Sequence, residues 1–127
     1  MTRILLVEDD LDVRMMMEHV LVGAGYAVTT TESVANALAL LDNQPSHLVL
    51  VDVKLVDGSG LDVAQRAQEQ GVKTLVVTAY GLHLPRDSLE RFDYLLKPLR
   101  PTELVDAVRR VLKGRDGKAD VIPLRPN

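Results

Sequence analysis

Five short apolar runs, at residues 4–7, 26–30, 48–51, 74–77 and 94–96, are each separated from the next by a stretch long enough to hold one helix. Strands joined through helices need crossover connections, so they pair in parallel with helices covering both faces of the sheet. Helical spacing occupies roughly 11–24, 33–42, 60–70 and 101–113, with a weaker segment near 85–91 that contains Pro85. In the first of these, Val13, Met16, Met17, Val20, Leu21 and Ala24 fall within about a 140° arc, the stripe of a helix packed on a sheet. Gly23 and Gly25 then stop that helix. Ser33, Ser59 and Thr102 stand where N-caps belong, and Pro101 suits a first helical turn. Runs 4–7, 48–51 and 74–77 are continuously apolar, as central parallel strands are, whereas 26–31 alternates and suits an edge. The predicted architecture is α/β: a doubly wound five-stranded parallel sheet with five helices. The fourth helix is expected to be short or irregular, because proline fits only a first turn.

The chain of 127 residues fits one domain over 1–113, and 114–127, "GRDGKADVIPLRPN", reads as a flexible tail with no helical period. Without cysteine there is no disulfide, thiolate zinc site or cysteine nucleophile, so any metal must be held by oxygen or imidazole. Net charge is −3 and basic residues form only short pairs such as Arg109-Arg110, which argues against direct nucleic-acid binding. No apolar run approaches the roughly 18 residues of a membrane span, and acids follow the first strand too early for a signal peptide. A cytoplasmic protein is expected.

In sheets of this kind, ligands bind beyond the carboxyl ends of the strands. "ILLVEDD" delivers Glu8, Asp9 and Asp10 to that rim, "LVLVD" delivers Asp52, "TLVVT" delivers Thr78 and "YLLKP" delivers Lys97. Acids that repel one another become compatible around a hard divalent cation, and Mg²⁺ takes one or two carboxylates together with waters and phosphate oxygens. Taken singly, each residue has a plainer explanation. An acid at a strand end is often solvated or caps the next helix, which suits Asp10 or Asp12 equally well. A Lys-Pro pair alone says little, and Tyr94 alone reads as a half-buried strand aromatic. Their joint occurrence at four strand ends, in this order, is the functional signal.

Over about residues 3–113, "ILLVEDD", "LVLVDVKLVDGSGLDV", "VVTA" and "YLLKP" together resemble the receiver domain of bacterial two-component response regulators. The resemblance implies a flavodoxin-like sheet of order 2-1-3-4-5 in a stand-alone signalling receiver. Asp52 would attack the phosphorus of a phosphohistidine on a histidine kinase or histidine phosphotransfer protein. The phosphoaspartate would then switch a surface read by a downstream protein target. The resemblance also implies Mg²⁺, with Asp9 as direct ligand, Glu8 as its companion, and Asp52 and the backbone carbonyl of Lys54 completing the protein's share. Thr78 and Lys97 would bind phosphoryl oxygens, and Tyr94 would change position with Thr78. Such chemistry is self-directed, transfer to Asp52 and autodephosphorylation, rather than that of a turnover enzyme. It agrees with what phosphoryl transfer needs: a metal, a cation and a hydroxyl donor already in position around three charged oxygens.

Several departures from the family pattern carry expectations of their own. Val56 replaces a usual proline in the loop from Asp52 to Gly60, which predicts a looser loop. Lys54 and Tyr80, each two residues past Asp52 and Thr78, would shield a phosphoryl group and slow its hydrolysis. Segment 80–93 is shorter than usual, so the output or homodimer face common in receivers is altered, and His83 and Arg86 would belong to an atypical recognition loop. On the outer side of the first helix, Leu11, Met15 and Val22 share a face with Glu18 and should be exposed, a stripe suited to docking the helical bundle of the phosphoryl donor. His19 and His47 read as surface residues. Other classes fit less well. A flavin module needs a hydroxyl- and glycine-rich phosphate loop where this chain has "VEDDLD". A haloacid-dehalogenase-like phosphatase wants a second acid where Lys54 stands. A pseudo-receiver that only binds proteins is kept open by segment 80–93.

Overall fold

The structure is a computed structural model that describes residues 1–79, 84 and 90–114. Its elements run β1 (Arg3–Val7), α1 (Leu11–Gly23), β2 (Ala27–Thr31), α2 (Val34–Asn43), β3 (Leu48–Asp52), α3 (Gly60–Glu69), β4 (Lys73–Thr78), β5 (Asp93–Leu96) and α4 (Pro101–Lys113). The five strands pair in parallel in the order β2-β1-β3-β4-β5. This is the flavodoxin-like arrangement, with β2 on an edge as its alternating sequence requires. Of the helix expected near 85–91, Glu90 and Arg91 are helical. Its remaining residues, with Tyr80, His83, Pro85, Arg86 and the tail from 115 onward, lie outside the described residues.

Alternation along each strand divides the core into two layers. Ile4, Leu6, Leu48, Leu50, Leu75, Val77 and Leu95 face α1 and α4, where they meet Met17, Leu21, Leu104, Ala107, Val108 and Val111. Leu5, Val7, Val49, Val51, Val76 and Tyr94 face the other way, against Ala37 and Leu41 of α2 and Val63, Ala64 and Ala67 of α3. Both faces of β3 are covered, so all five of its residues are buried, Asp52 included. At roughly 1.5–3 kcal/mol for each large side chain removed from water, this burial is what holds the strand ends in register.

Helix ends follow local chemistry with two corrections. Asp10, Ser33 and Ser59 cap α1, α2 and α3, accepting from the N–H groups of Val13, Asn36 and Leu61. Thr102, expected as a cap, is instead inside α4: Pro101 opens that helix, and Arg100 at the cap position has extended backbone and makes no side-chain capping bond. Proline needs no N–H acceptor and its fixed φ already suits the first helical position, so it starts the helix one residue earlier. Ala24, counted in the buried stripe of α1, is the exposed C-cap of that helix. The helix ends there and the chain turns into β2 through Gly25, whose φ of 100° favours glycine. Val13, Met16 and Val20 pack against the core as expected.

The loop after Asp52 is not loose. Lys54–Leu55 and Gly58–Ser59 form a two-stranded antiparallel ribbon, with Lys54 opposite Ser59 and Leu55 opposite Gly58. Leu55 is buried beneath it while Val56 stands 75% exposed at its tip. The ribbon returns the chain to the strand so closely that Gly60 N donates to Val53 O at 2.7 Å. A Cβ on Gly60 would overlap the backbone carbonyl of Asp52. Gly60→Ala should therefore cost roughly 1–3 kcal/mol, the usual range for forcing an atom into a packed site. Gly23→Ala, with open space around the added carbon, should be neutral or stabilising by up to about 1 kcal/mol. Urea unfolding midpoints of the two variants check the contrast.

Candidate functional site

Parallel register brings the polar strand ends together. Val7 pairs with Val51, so the residues that follow, Glu8 and Asp52, sit side by side at the rim. Asp52 pairs with Val77, and Val53 N donates to Val77 O at 3.0 Å, which sets Thr78 beside the same point. Thr78 pairs with Leu96, and Lys97 N donates to Thr78 O at 2.9 Å. Four neighbouring strands thus converge, as the ends of the apolar runs predicted.

The side chains meet around Lys97. Its Nζ donates to Asp52 Oδ2 at 2.9 Å and lies 3.1 Å from Glu8 Oε1. Asp52 and Glu8 are both buried, Glu8 only 1% exposed. Glu8 Oε2 accepts the Asp10 N–H at 3.1 Å, whereas Oε1 has no aligned hydrogen bond and is met by the ammonium as a charge partner. Burial raises the Glu8 carboxyl above the usual glutamate range, the charge of Asp52 adds to that, and the Asp10 N–H and Lys97 only partly counter it. Burial disfavours the Lys97 ammonium too, but Asp52 and then Glu8 more than offset it, so its pKa lies above that of an ordinary lysine. The Thr78 hydroxyl is buried beside this cluster and, among the described residues, makes no hydrogen bond.

Glu8, Asp9 and Asp52 each offer a carboxylate oxygen, and the three atoms lie within 4.8 Å of one another. This all-oxygen donor set, with Glu8 Oε1 buried and held only by the ion pair with Lys97, fits a hard divalent cation such as Mg²⁺. Asp10 is not part of the set, since its carboxylate caps α1 through Val13 at 3.0 Å. The side chain of Lys54 is exposed on the ribbon, so any share it takes in holding a cation goes through its main chain. Tyr94 is 1% exposed and packed in the core layer on the α2–α3 side, more buried than its strand position alone suggests.

Outside the cluster, Leu11, Met15 and Val22 are 56%, 58% and 53% exposed along the outer face of α1. His19 and His47 are on the surface, with His47 Nδ1 accepting the Arg3 N–H. Two residues that the sequence reading passed over frame the site. Arg14 Nη1 donates to the Glu8 carbonyl oxygen at 2.8 Å and lies 3.6 Å from Glu32. Asp57 reaches from the ribbon to the start of α2. Helical spacing after Asp10 was a usable signal for Arg14, but no local pattern marks Asp57. Among the described residues, no helix is long and apolar enough to cross a membrane.

Comparison with known proteins follows the same lines. The family model described as response regulator receiver domain matches residues 4–109. The response regulator receiver protein CpdR of Brucella abortus is 32% identical over 117 residues, covering 88% of this chain and 98% of CpdR. The response regulator protein PilR of Pseudomonas aeruginosa is 34% identical over 125 residues, which cover 94% of this chain but 28% of PilR. The chain therefore spans nearly all of one relative and about a quarter of the other. Among solved structures, a CheY-like receiver domain protein from Methanospirillum hungatei aligns with a TM-score of 0.80 at 28% identity, over 89% of this chain and 94% of that one. TrrA of Thermotoga maritima, solved in complex with Mg²⁺-BeF, aligns with a TM-score of 0.78 at 30% identity, over 87% and 99% of the two chains.

Lys97→Met tests the electrostatics directly. Removing the ammonium leaves Glu8 and Asp52 facing one another, and the cost, discounted for the partial exposure of Lys97, should be roughly 1–2 kcal/mol at pH 7.5. Because Glu8 titrates above its ordinary value of 4.5 in the folded chain, its ionisation costs stability as pH rises past that value. The variant loses the cation that limits this cost, so its deficit should shrink when urea midpoints are measured at pH 4. An equal deficit at both pH values would contradict the assignment.

Proposed function

Because this chain belongs to the response regulator receiver domain family, we propose that it accepts a phosphoryl group on Asp52 in a two-component or phosphorelay pathway. The observation that carries this reading is the buried Asp52 carboxylate, held by Lys97 at 2.9 Å and flanked by Glu8 and Asp9. An Asp52 oxygen attacks the phosphorus of a phosphohistidine. The O–P bond forms as the N–P bond breaks, and the departing imidazole takes up a proton. Negative charge spreads over three phosphoryl oxygens, and groups already in position stabilise it at no reorganisation cost. Lys97 supplies the fixed ammonium, and the Thr78 hydroxyl, which has no hydrogen-bond partner among the described residues, supplies a donor. Mg²⁺ held by Glu8, Asp9, Asp52 and the Lys54 carbonyl would neutralise phosphoryl charge.

Phosphorylation gives Thr78 an acceptor and Lys97 new oxygens in place of the carboxylate it now holds. Movement of Thr78 then alters the space beside Tyr94 on β5, so that a local charge change biases a surface read by a downstream protein. The donor docks on α1, where Leu11, Met15 and Val22 form an exposed apolar stripe that starts next to the acidic rim. The chemistry is confined to the chain's own Asp52.

Incubation with phosphoramidate and Mg²⁺ should give a phosphoprotein that hydroxylamine cleaves, as it does an acyl phosphate. An acid-labile product that survives alkali, which an acyl phosphate does not, would place the phosphoryl group on one of the three histidines, and no incorporation from any donor would leave a protein-binding pseudo-receiver. Met15→Glu should slow transfer from a phosphohistidine protein at least tenfold, since it sets a charge in an apolar contact, while phosphoramidate labelling is unchanged. Equal slowing with both donors would reject the docking assignment.

A further inference from the structure

The start of α2 is capped twice, once from its own turn and once from a distant loop. Ser33 Oγ accepts the Asn36 N–H at 3.1 Å. The two preceding donors, Val34 N–H and Ala35 N–H, are taken by Asp57, at 2.7 Å to Oδ1 and 3.1 Å to Oδ2. These bonds hold the Asp57 carboxyl below the usual aspartate range, the Val34 N–H most and the Ala35 N–H next. A helix start favours an anion in this place, but here the anion comes from the loop after the third strand.

The position of that loop gives the cap a second consequence. Asp57 shares the tip of the ribbon with Val56, and the ribbon's first strand begins at Lys54, two residues past Asp52. Its other end is held by Gly60 N on Val53 O. The turn it reaches is fixed in its own right to the first strand: Glu8 N donates to Thr31 O at 3.0 Å, and Arg14 joins the Glu8 carbonyl to Glu32. Asp57 thus closes a chain of contacts that runs from Glu8 through the β2–α2 turn to the main chain around Asp52 and Lys54.

We infer that Asp57 is a positioning residue for the cation site, fixing the Asp52–Lys54 segment relative to Glu8 and Asp9 by anchoring the ribbon to the first turn of α2. The inference rests on the reading of Glu8, Asp9 and Asp52 as a Mg²⁺ site. Groups that orient ligands without touching the metal are worth roughly 10–100-fold in affinity, so the effect is measurable on binding alone. Ser33 offers the matching control, because it caps the same helix without reaching the loop.

Calorimetric titration of the full chain with Mg²⁺ tests this, using wild type, Asp57→Ala, Asp57→Asn, Ser33→Ala and Asp9→Asn. Asp57→Ala should weaken Mg²⁺ binding about tenfold or more, and Asp57→Asn, which keeps one acceptor oxygen, should weaken it less. The loss should persist in about 0.5 M KCl, where screening leaves little of a distant charge effect. Ser33→Ala should lower Tm without moving the Mg²⁺ affinity, and amide exchange at Val34 and Ala35 should speed up only in the Asp57 variants. Wild-type affinity in Asp57→Ala, or an equal loss in Ser33→Ala, overturns the positioning role while Asp9→Asn still shows the cation site to be real. No binding by wild type overturns both.

Discussion

Glu8 and Asp52, two buried carboxylates on adjacent strand ends, are kept together against their own repulsion by the Lys97 ammonium between them. Carboxylates buried without a compensating cation are unfavourable, so the site depends on the strands holding all three groups in register. The remainder of the structure serves that requirement. Continuous apolar runs bury β1 and β3 on both faces, and α1 and α4 on one side and α2 and α3 on the other hold the register. The strands can then end abruptly in charge, because the polar residues lie beyond the covered part of the sheet.

The same constraint explains why the loops are tied so closely. Glycine at position 60 lets α3 begin against the carbonyl of Asp52 itself. The Lys54–Ser59 ribbon keeps the main chain near the acids, and Asp57 links it across to α2. In place of a stiffening proline the chain has Val56, exposed at the tip, and the order comes from backbone pairing and a tertiary cap. A loop built in this way is ordered through hydrogen bonds rather than through a restricted φ angle.

Most of the fold and the core of the site were legible in the sequence, for identifiable reasons. Parallel strands buried on both faces leave uninterrupted apolar runs, and the residue after each run falls on the functional rim, so Glu8, Asp52, Thr78 and Lys97 are found by pattern alone. Strand ends shifted by a residue or so, as at Ala27–Thr31 and Lys73–Thr78, because pairing with neighbours sets them rather than composition. Thr102 and Ala24 were misplaced where two local signals competed, proline against threonine at one helix start and helical spacing against Gly25 at one helix end. Asp57 was invisible for a different reason. Its partners are 22 and 23 residues away, and only the folded chain brings them together.

The central claim, that Asp52 is the phosphoryl acceptor and needs a cation to act, is tested most directly by intact-protein mass after incubation with acetyl phosphate. Wild type with Mg²⁺ should gain about 80 Da, one phosphoryl group, and Asp52→Asn or wild type with EDTA should gain nothing. A gain that survives Asp52→Asn, or one that appears equally without metal, would contradict the account.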